Sequence, residues 1–350
     1  MLHPGDQVFV TGGTGFIGQW LVKALLERGC RIRALVRGTP TRVTAGWSAN
    51  PLLDDRVELV EGRIEDRASL QRGMAGCRFA FHMAAYARSW SPDPATYRRL
   101  NVDPVRDVLE LTREMGLERT VWTSTCLTFG PSTDGAPVDE QTRRSRKRFL
   151  TEYEASKYEA EQLAVRQAAE GTPVVIVNPT RVFGPGLLSE SNSTTMILAS
   201  YTHRRIQVLP NRGANIGNYA LAEDVAEGHI QALEHGTLGE RYLLGGDNIS
   251  LKGLFRLMEE VTGKHHLHIP LLRAGPMGVA HLEQWRAKLF GAYPLVTPGW
   301  ARTFMSDWPF SIEKARNELG YRPTPLKEAV SRTWRWLEST NEKAEHAHQR

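Results

Sequence analysis

Only three cysteines occur in 350 residues, Cys30, Cys77 and Cys126, and none stands at metal-ligand spacing from another. An odd, scattered set of thiols excludes a disulfide framework and fits a reducing, cytoplasmic setting. No zinc pattern is present, and no metal site is expected. No uncharged apolar run approaches the length of a membrane span, so no integral membrane segment is expected. The opening MLHPGDQVFVTGG enters a strand-like run at once, without the form of a signal peptide. Nucleic-acid binding is excluded on similar grounds: there is no helix-turn-helix pattern, and basic residues are not interleaved with aromatics over a wide face. The net charge of +5 has one visible source, TRRSRKRF at 142–149, with Arg143, Arg144, Arg146, Lys147 and Arg148. That run reads as a solvated loop or, lying just before Tyr153, as a collar that attracts an anionic substrate.

What the chain does have is an ordinary globular composition, 41% hydrophobic and 24% charged, and enough length for a substantial core. Apolar or β-branched runs at 7–11, 31–36, 57–61, 78–82, 119–124 and 172–178 alternate with helical patterns. The spacing predicts helices after the first strand to Gly29, from Pro94 to Met115, and from Tyr153 to Glu170. Alternation of this kind specifies an α/β fold with a doubly wound parallel sheet. A smaller, mostly C-terminal α/β region follows it. The expected cofactor domain is 1–180 plus about 214–246. The expected substrate-binding region is about 181–213 plus 247–345, with 346–350 as a tail. Residues 187–213 read as polar and irregular. Helices are expected at Ala222–Leu233, at Ser250–Thr262 with Ser250 as N-cap, and around 327–338. Between Val279 and Phe290, Leu282, Trp285 and Leu289 share one helical face, which reads as a lid or core helix rather than a membrane-surface helix.

TGGTGFIG, residues 11–18, lies between the first strand and the first helix. Gly12 allows the tight turn, Gly15 lets the backbone approach a pyrophosphate, and Gly18 lets the helix pack on the sheet. The helix N-terminus offers free N–H groups and a positive dipole end to the phosphates. An acid that would hold the ribose of NAD is missing at the end of the second strand. Arg37 and Arg42 stand there instead and suit a 2′-phosphate, so NADP(H) is favoured over NAD(H).

TEYEASKYEAE, residues 151–161, holds two tyrosines and one lysine. On a helix, Tyr153 and Lys157 share a face, whereas Tyr158 has no lysine within a turn.

With these motifs in order, the chain resembles the extended short-chain dehydrogenase/reductase family, nearest its dihydroflavonol-reductase-like and hopanoid-associated sugar-epimerase-like branch. The resemblance rests on the T-G-x-x-G-x-x-G loop, FHMAA (81–85), Asn101 in RRLNVD, WTSTCLTFG (122–130), YEASK and NPTRVFGPG (178–186). It implies that the Tyr153 hydroxyl exchanges a proton with a carbonyl or alcohol while a nicotinamide moves a hydride. Lys157 would favour the phenolate and hold the ribose, and Thr125 would hold the substrate oxygen, with Ser124 as the alternative. It further implies cofactor contacts from Thr14, Phe16 and Ile17, from Arg63 and Ile64, and from Ala84, Ala85, Asn101, Thr123, Pro179 and Val182. Tyr86, Arg88, Trp90 and Arg181 become candidate substrate-lining residues, and a homodimer through two helices is the family's habit.

Two departures bear on substrate. The family's Gly-Asp after the third strand is replaced by Gly62-Arg63, which changes adenine recognition. Gly217 stands where sugar-nucleotide epimerases carry an arginine for the diphosphate. The expected function is therefore NADPH-dependent reduction of a ketone or aldehyde, or oxidation of the matching alcohol, on a small, largely apolar molecule that carries a negative charge if the basic run serves it. A sugar-nucleotide epimerase is the alternative, with Arg204, Arg205 or Arg212 compensating. A non-catalytic NADP-binding regulator is the reading from another class.

Overall fold

The computed structural model describes residues 1–38, 50–144, 148–188, 192–203 and 206–348. Arg42, Arg146, Lys147, Arg204 and Arg205 lie outside them. The strands are β1 (Gln7–Thr11), β2 (Arg31–Val36), β3 (Val57–Glu61), β4 (Phe79–His82), β5 (Arg119–Thr123), β6 (Val174–Pro179), β7 (Arg181–Phe183), β8 (Ile206–Leu209), β9 (Ile216–Leu221), β10 (Arg241–Leu244), β11 (Asp247–Ser250) and β12 (Leu267–Pro270). Seven of them form one parallel sheet in the order β10-β6-β5-β4-β1-β2-β3. The order reverses between β1 and β4, whose carboxyl ends therefore flank a crevice where ligands bind in open α/β sheets.

The helices are α1 (Phe16–Glu27), α2 (Arg67–Met74), α3 (Ala95–Asn101), α4 (Asp103–Glu114), α5 (Glu152–Ala169), α6 (Ser193–His203), α7 (Ala222–His235), α8 (Leu251–Thr262), α9 (Ala274–Phe290), α10 (Pro298–Phe304) and α11 (Leu326–His348). Strand alternation sorts the core. Val8, Val10, Phe81, Val121 and Val177 pack on Leu21 and Leu25 of α1 and Val225 and Ile230 of α7. The intervening Phe9 and Ala80 face α2 and α4, while Trp122 and Ile176 face α4 and α5. Each fully buried Leu or Phe of this set stabilises the fold by about 1.5–3 kcal/mol. The three cysteines are buried free thiols.

The second region holds a three-stranded sheet, β11-β9-β7, and the two-stranded sheet β12-β8. β9 thus joins this region's sheet, while α7 and β10, which follow it, complete the large one. Two expectations need correction. The helix expected from Pro94 to Met115 is two helices. Pro104 cannot give an N–H to the carbonyl one turn back, and Val102 bends to φ −109° at the junction. The stretch 187–213 contains α6 and β8. Its helix was masked by polar residues that are buried and bonded: Thr195 Oγ1 accepts from Gly184 N at 3.0 Å, and Leu198 and Tyr201 pack on Phe255 and Met258.

Candidate active site

The glycine loop is shaped by close approach. Gly12 has φ +77°, and a Cβ on it would meet Ala84 N at 2.7 Å; one on Gly18 would meet Gly12 O at 2.1 Å. Gly15 precedes α1, which has no side-chain cap, so its first-turn N–H groups are available to an anion. Phe16 is buried, Ile17 half-buried and Thr14 exposed. Thr11 Oγ1 lies 2.8 Å from His82 Nδ1 and accepts from Ala84 N at 3.2 Å, which ties the ends of β1 and β4 together beneath half-buried Ala84 and Ala85. A cradle that only glycine can line, at an uncapped helix start, fits a dinucleotide pyrophosphate.

At the end of β2, Arg37 is exposed and has no ion pair among the described residues. Arg63 is exposed as well and pairs with Glu65 at 2.7 Å, while Ile64 packs on the cluster around Leu35 and Leu70.

Alternation along the end of β5 decides which hydroxyl reaches the crevice. Thr123 points its hydroxyl at α7, 2.9 Å from His229 Nε2. His229 Nδ1 lies 2.7 Å from Val225 O and so carries the proton, which makes Thr123 the donor to Nε2. Burial pushes His229 down to about 4 and keeps it neutral. Ser124 faces the other way and donates to Glu161 Oε2 at 2.6 Å. Thr125, beyond the strand, lies beside Tyr153, and its Oγ1 accepts from Leu127 N at 3.4 Å.

Tyr153 stands in the first turn of α5, where Thr151 caps Glu154 N at 3.1 Å. Burial pushes the Tyr153 phenol well above its ordinary value, with the neighbouring Thr125 hydroxyl acting in the opposite sense. One turn on, Lys157 is buried. Its Nζ donates to Thr123 O at 2.7 Å and lies 4.7 Å from the Trp122 ring centroid. Burial lowers its pKa to about 7, with the Glu161 carboxylate acting in the opposite sense. His82, whose Nε2 has no partner among the described residues, is pushed down to about 3 by burial and then by Lys157.

Beneath the trio lies a buried carboxylate that sequence reasoning missed. Glu161 accepts from Ser124, from Thr128 Oγ1 at 3.0 Å, from Asn178 Nδ2 at 2.7 Å and from Arg241 Nη1 at 3.1 Å. Asn178 Nδ2 also donates to Thr125 O at 3.0 Å, so this network sets the backbone that carries Thr125. Its one sequence signal was the spacing of Lys157 and Glu161 on a single helix face. Asn101 is a second tie. Its Oδ1 accepts from Tyr86 N at 2.7 Å and its Nδ2 donates to Ser156 Oγ at 3.0 Å, which joins the segment after β4 to α5.

The basic run is not simply a solvated loop. Half-buried Arg144 pairs with Glu154 and donates to the carbonyls of Leu127 and Thr128 at 3.0 and 3.1 Å, bracing the strand-five turn against α5. Arg143 and Arg148 are exposed.

On the substrate side, Tyr86 donates to Trp90 O at 3.2 Å, and Trp90 meets Tyr293 edge-on at 5.7 Å. Arg88 is exposed. Arg181 donates to Tyr219 OH at 3.4 Å and lies over the Phe304 ring at 5.2 Å. Pro179 is buried at the end of β6 and Val182 half-buried in β7. At Gly217 the space a side chain would enter is filled by the Tyr219 ring, 3.0 Å from a built Cβ. Trp300, absent from the sequence-based candidates, stacks on Tyr153 at 6.4 Å and 25°. Its Nε1 is enclosed and has no partner among the described residues.

Comparison with known proteins agrees with this geometry. Residues 8–245 match the profile of the NAD-dependent epimerase/dehydratase family. A Synechocystis protein provisionally named dihydroflavonol 4-reductase is 33% identical over 95% of both chains. The 4-hydroxy-2-methyl-3-oxo-4-farnesyl-3,4-dihydroquinoline-1-oxide ketoreductase of Stigmatella aurantiaca is 31% identical over 90% of this chain and 91% of its own. The crystal structure of gox2253, 33% identical, covers 96% of this chain and 99% of its own with a TM-score of 0.77.

Proposed function

The chain belongs to the NAD-dependent epimerase/dehydratase family, within the extended short-chain dehydrogenases/reductases, and from that membership we propose an NADPH-dependent reductase of a carbonyl group on a largely apolar molecule. The observation that carries the reading is the apolar wall facing the tyrosine: Trp300 stacks on Tyr153, and Phe304 lies next along α10. Gly217 supports it, because the position of a diphosphate-binding arginine holds no cation. The farnesylated ketone named for the Stigmatella relative is a substrate of that chemistry.

When bound, the reduced nicotinamide supplies the hydride to the carbonyl carbon. The chain's own groups manage the oxygen. Thr125 holds it by hydrogen bond, and Tyr153, whose burial keeps the phenol protonated, donates the proton that completes the alcohol. Lys157 places a positive charge one turn below the tyrosine and offsets the negative charge left on it. The Glu161 network keeps Thr125 in place. For the cofactor, Gly12, Gly15 and Gly18 would seat the pyrophosphate, and Arg37 the 2′-phosphate.

The test is NADPH oxidation against a panel of apolar ketones and aldehydes, with Tyr153→Phe as control. The expected result is one NADPH consumed per alcohol formed and a loss of at least about a thousandfold in kcat for the variant. Turnover of a UDP-sugar without net NADPH consumption would replace this reading with epimerisation.

A further inference from the structure

Helix α9 is packed the wrong way round for a core helix. Ala280 and Ala287, seven residues apart, are buried, and the helix rests on α10 through this small-residue face. Its large apolar residues point outward: Leu282 is 63% exposed, Trp285 61%, Leu289 55% and Phe290 75%. Leu282, Trp285 and Leu289 stand at i, i+3 and i+7, so they form one face and not a scatter. The expectation of a core helix is therefore corrected: this face is open. The neighbourhood shares the character. Ten of the seventeen exposed large apolar side chains found among the described residues lie between Leu267 and Leu295. A concentration of that kind marks an interaction surface.

Charge identifies the partner. Residues 264–306 contain five lysines and arginines against a single acid, Glu283, a net +4. Exposed His281 and Lys288 lie seven apart on the flank of the apolar face. Leucine and aromatic residues on one face, with cations beside them, are the composition of a helix lying in the interface of an anionic bilayer. No helix among the described residues is long and apolar enough to cross a membrane, so the contact is with the surface. The same segment leads to the catalytic site. Tyr293 OH lies 3.2 Å from Ser89 Oγ and its ring meets Trp90, and α10 then carries Trp300 onto Tyr153.

We propose that α9 and its flanking segments dock the enzyme on an anionic lipid surface, apolar face inward. An apolar carbonyl substrate then passes from the bilayer to the wall of Trp300 and Phe304. This second clause rests on the reductase reading; the docking does not.

Sedimentation of the full chain with vesicles tests the docking without any turnover. Wild type is expected to co-sediment with phosphatidylglycerol-containing vesicles. With pure phosphatidylcholine, or in high salt, binding falls on the order of tenfold. The triple variant Leu282→Gln/Trp285→Gln/Leu289→Gln alters only exposed positions. It is expected to keep its circular dichroism and its NADPH turnover of a water-soluble carbonyl, and to lose vesicle binding by about tenfold or more. Wild type left in the supernatant, or a triple variant that sediments like wild type, overturns the proposal. So does a wild-type dimer in analytical ultracentrifugation that becomes monomeric in the triple variant without vesicle binding by either, since the face would then cover a second copy. Vesicle binding without any carbonyl turnover would retain the docking and remove the reductase reading.

Discussion

The indole of Trp300 lies within 25° of parallel to the Tyr153 ring at 6.4 Å, and its enclosed N–H has no partner among the described residues. A buried donor without an acceptor is costly unless a bound molecule supplies one. The stacked ring forms part of the wall, and an acceptor on the substrate is the expected partner of the N–H. Trp300→Phe keeps a ring and removes the donor. The expected outcome in steady-state assays is a KM raised about five- to tenfold with kcat nearly unchanged. An unchanged KM would assign Trp300 to packing alone.

A second prediction concerns Lys157, whose pKa burial lowers to about 7 while Glu161 holds it up. In the reductive direction the charged ammonium is the helpful form, so kcat/KM at saturating NADPH is expected to fall as pH rises through about 7. Glu161→Gln removes the negative charge that favours the ammonium. The descending limb should then move to lower pH by about one unit. A variant that loses activity equally at every pH would mean that Glu161 acts only as the brace of Thr125.

These two residues also mark the limits of what the sequence discloses. The doubly wound sheet, the glycine loop, and the pairing of Tyr153 with Lys157 were legible because each depends on local periodicity or on spacing within one element. Choosing among Thr123, Ser124 and Thr125 required the strand's facing, which only the sheet and its two helix layers define. Glu161 looked like one more acid on a charged helix, because its partners Ser124, Asn178 and Arg241 come from three other strands or strand ends. Trp300 left no signal at all: it reaches Tyr153 through a short helix almost 150 residues away in the chain. The exposed face of α9 was visible as a pattern, but whether it turns inward or outward is decided by packing against α10.

That short helix supplies the third prediction. Gly299 allows α10 to press on the start of α5, and a Cβ at this position would meet Leu150 O at 2.2 Å. The obstacle is backbone, so α10 must shift. Gly299→Ala is expected to destabilise the fold by about 1–3 kcal/mol and to raise KM, because Trp300 moves with the helix. Scanning calorimetry and steady-state kinetics measure the two effects. An unaltered Tm together with an unaltered KM would show that the close approach is unimportant.

Cofactor choice is the last. Arg37 follows β2 where an acid would face the ribose hydroxyls of NAD, and it is exposed without an ion pair among the described residues. A guanidinium at that point matches a 2′-phosphate through charge and paired N–H groups, and it has nothing comparable to bind on NADH. Arg37→Ala should therefore lower kcat/KM for NADPH by about tenfold or more and leave that for NADH nearly as it was. Because the site is open to solvent, the NADPH advantage of the wild type should also shrink as ionic strength rises. Titration of both cofactors against both proteins measures the ratio directly. A preference for NADPH that survives the substitution unchanged would remove Arg37 from the cofactor site.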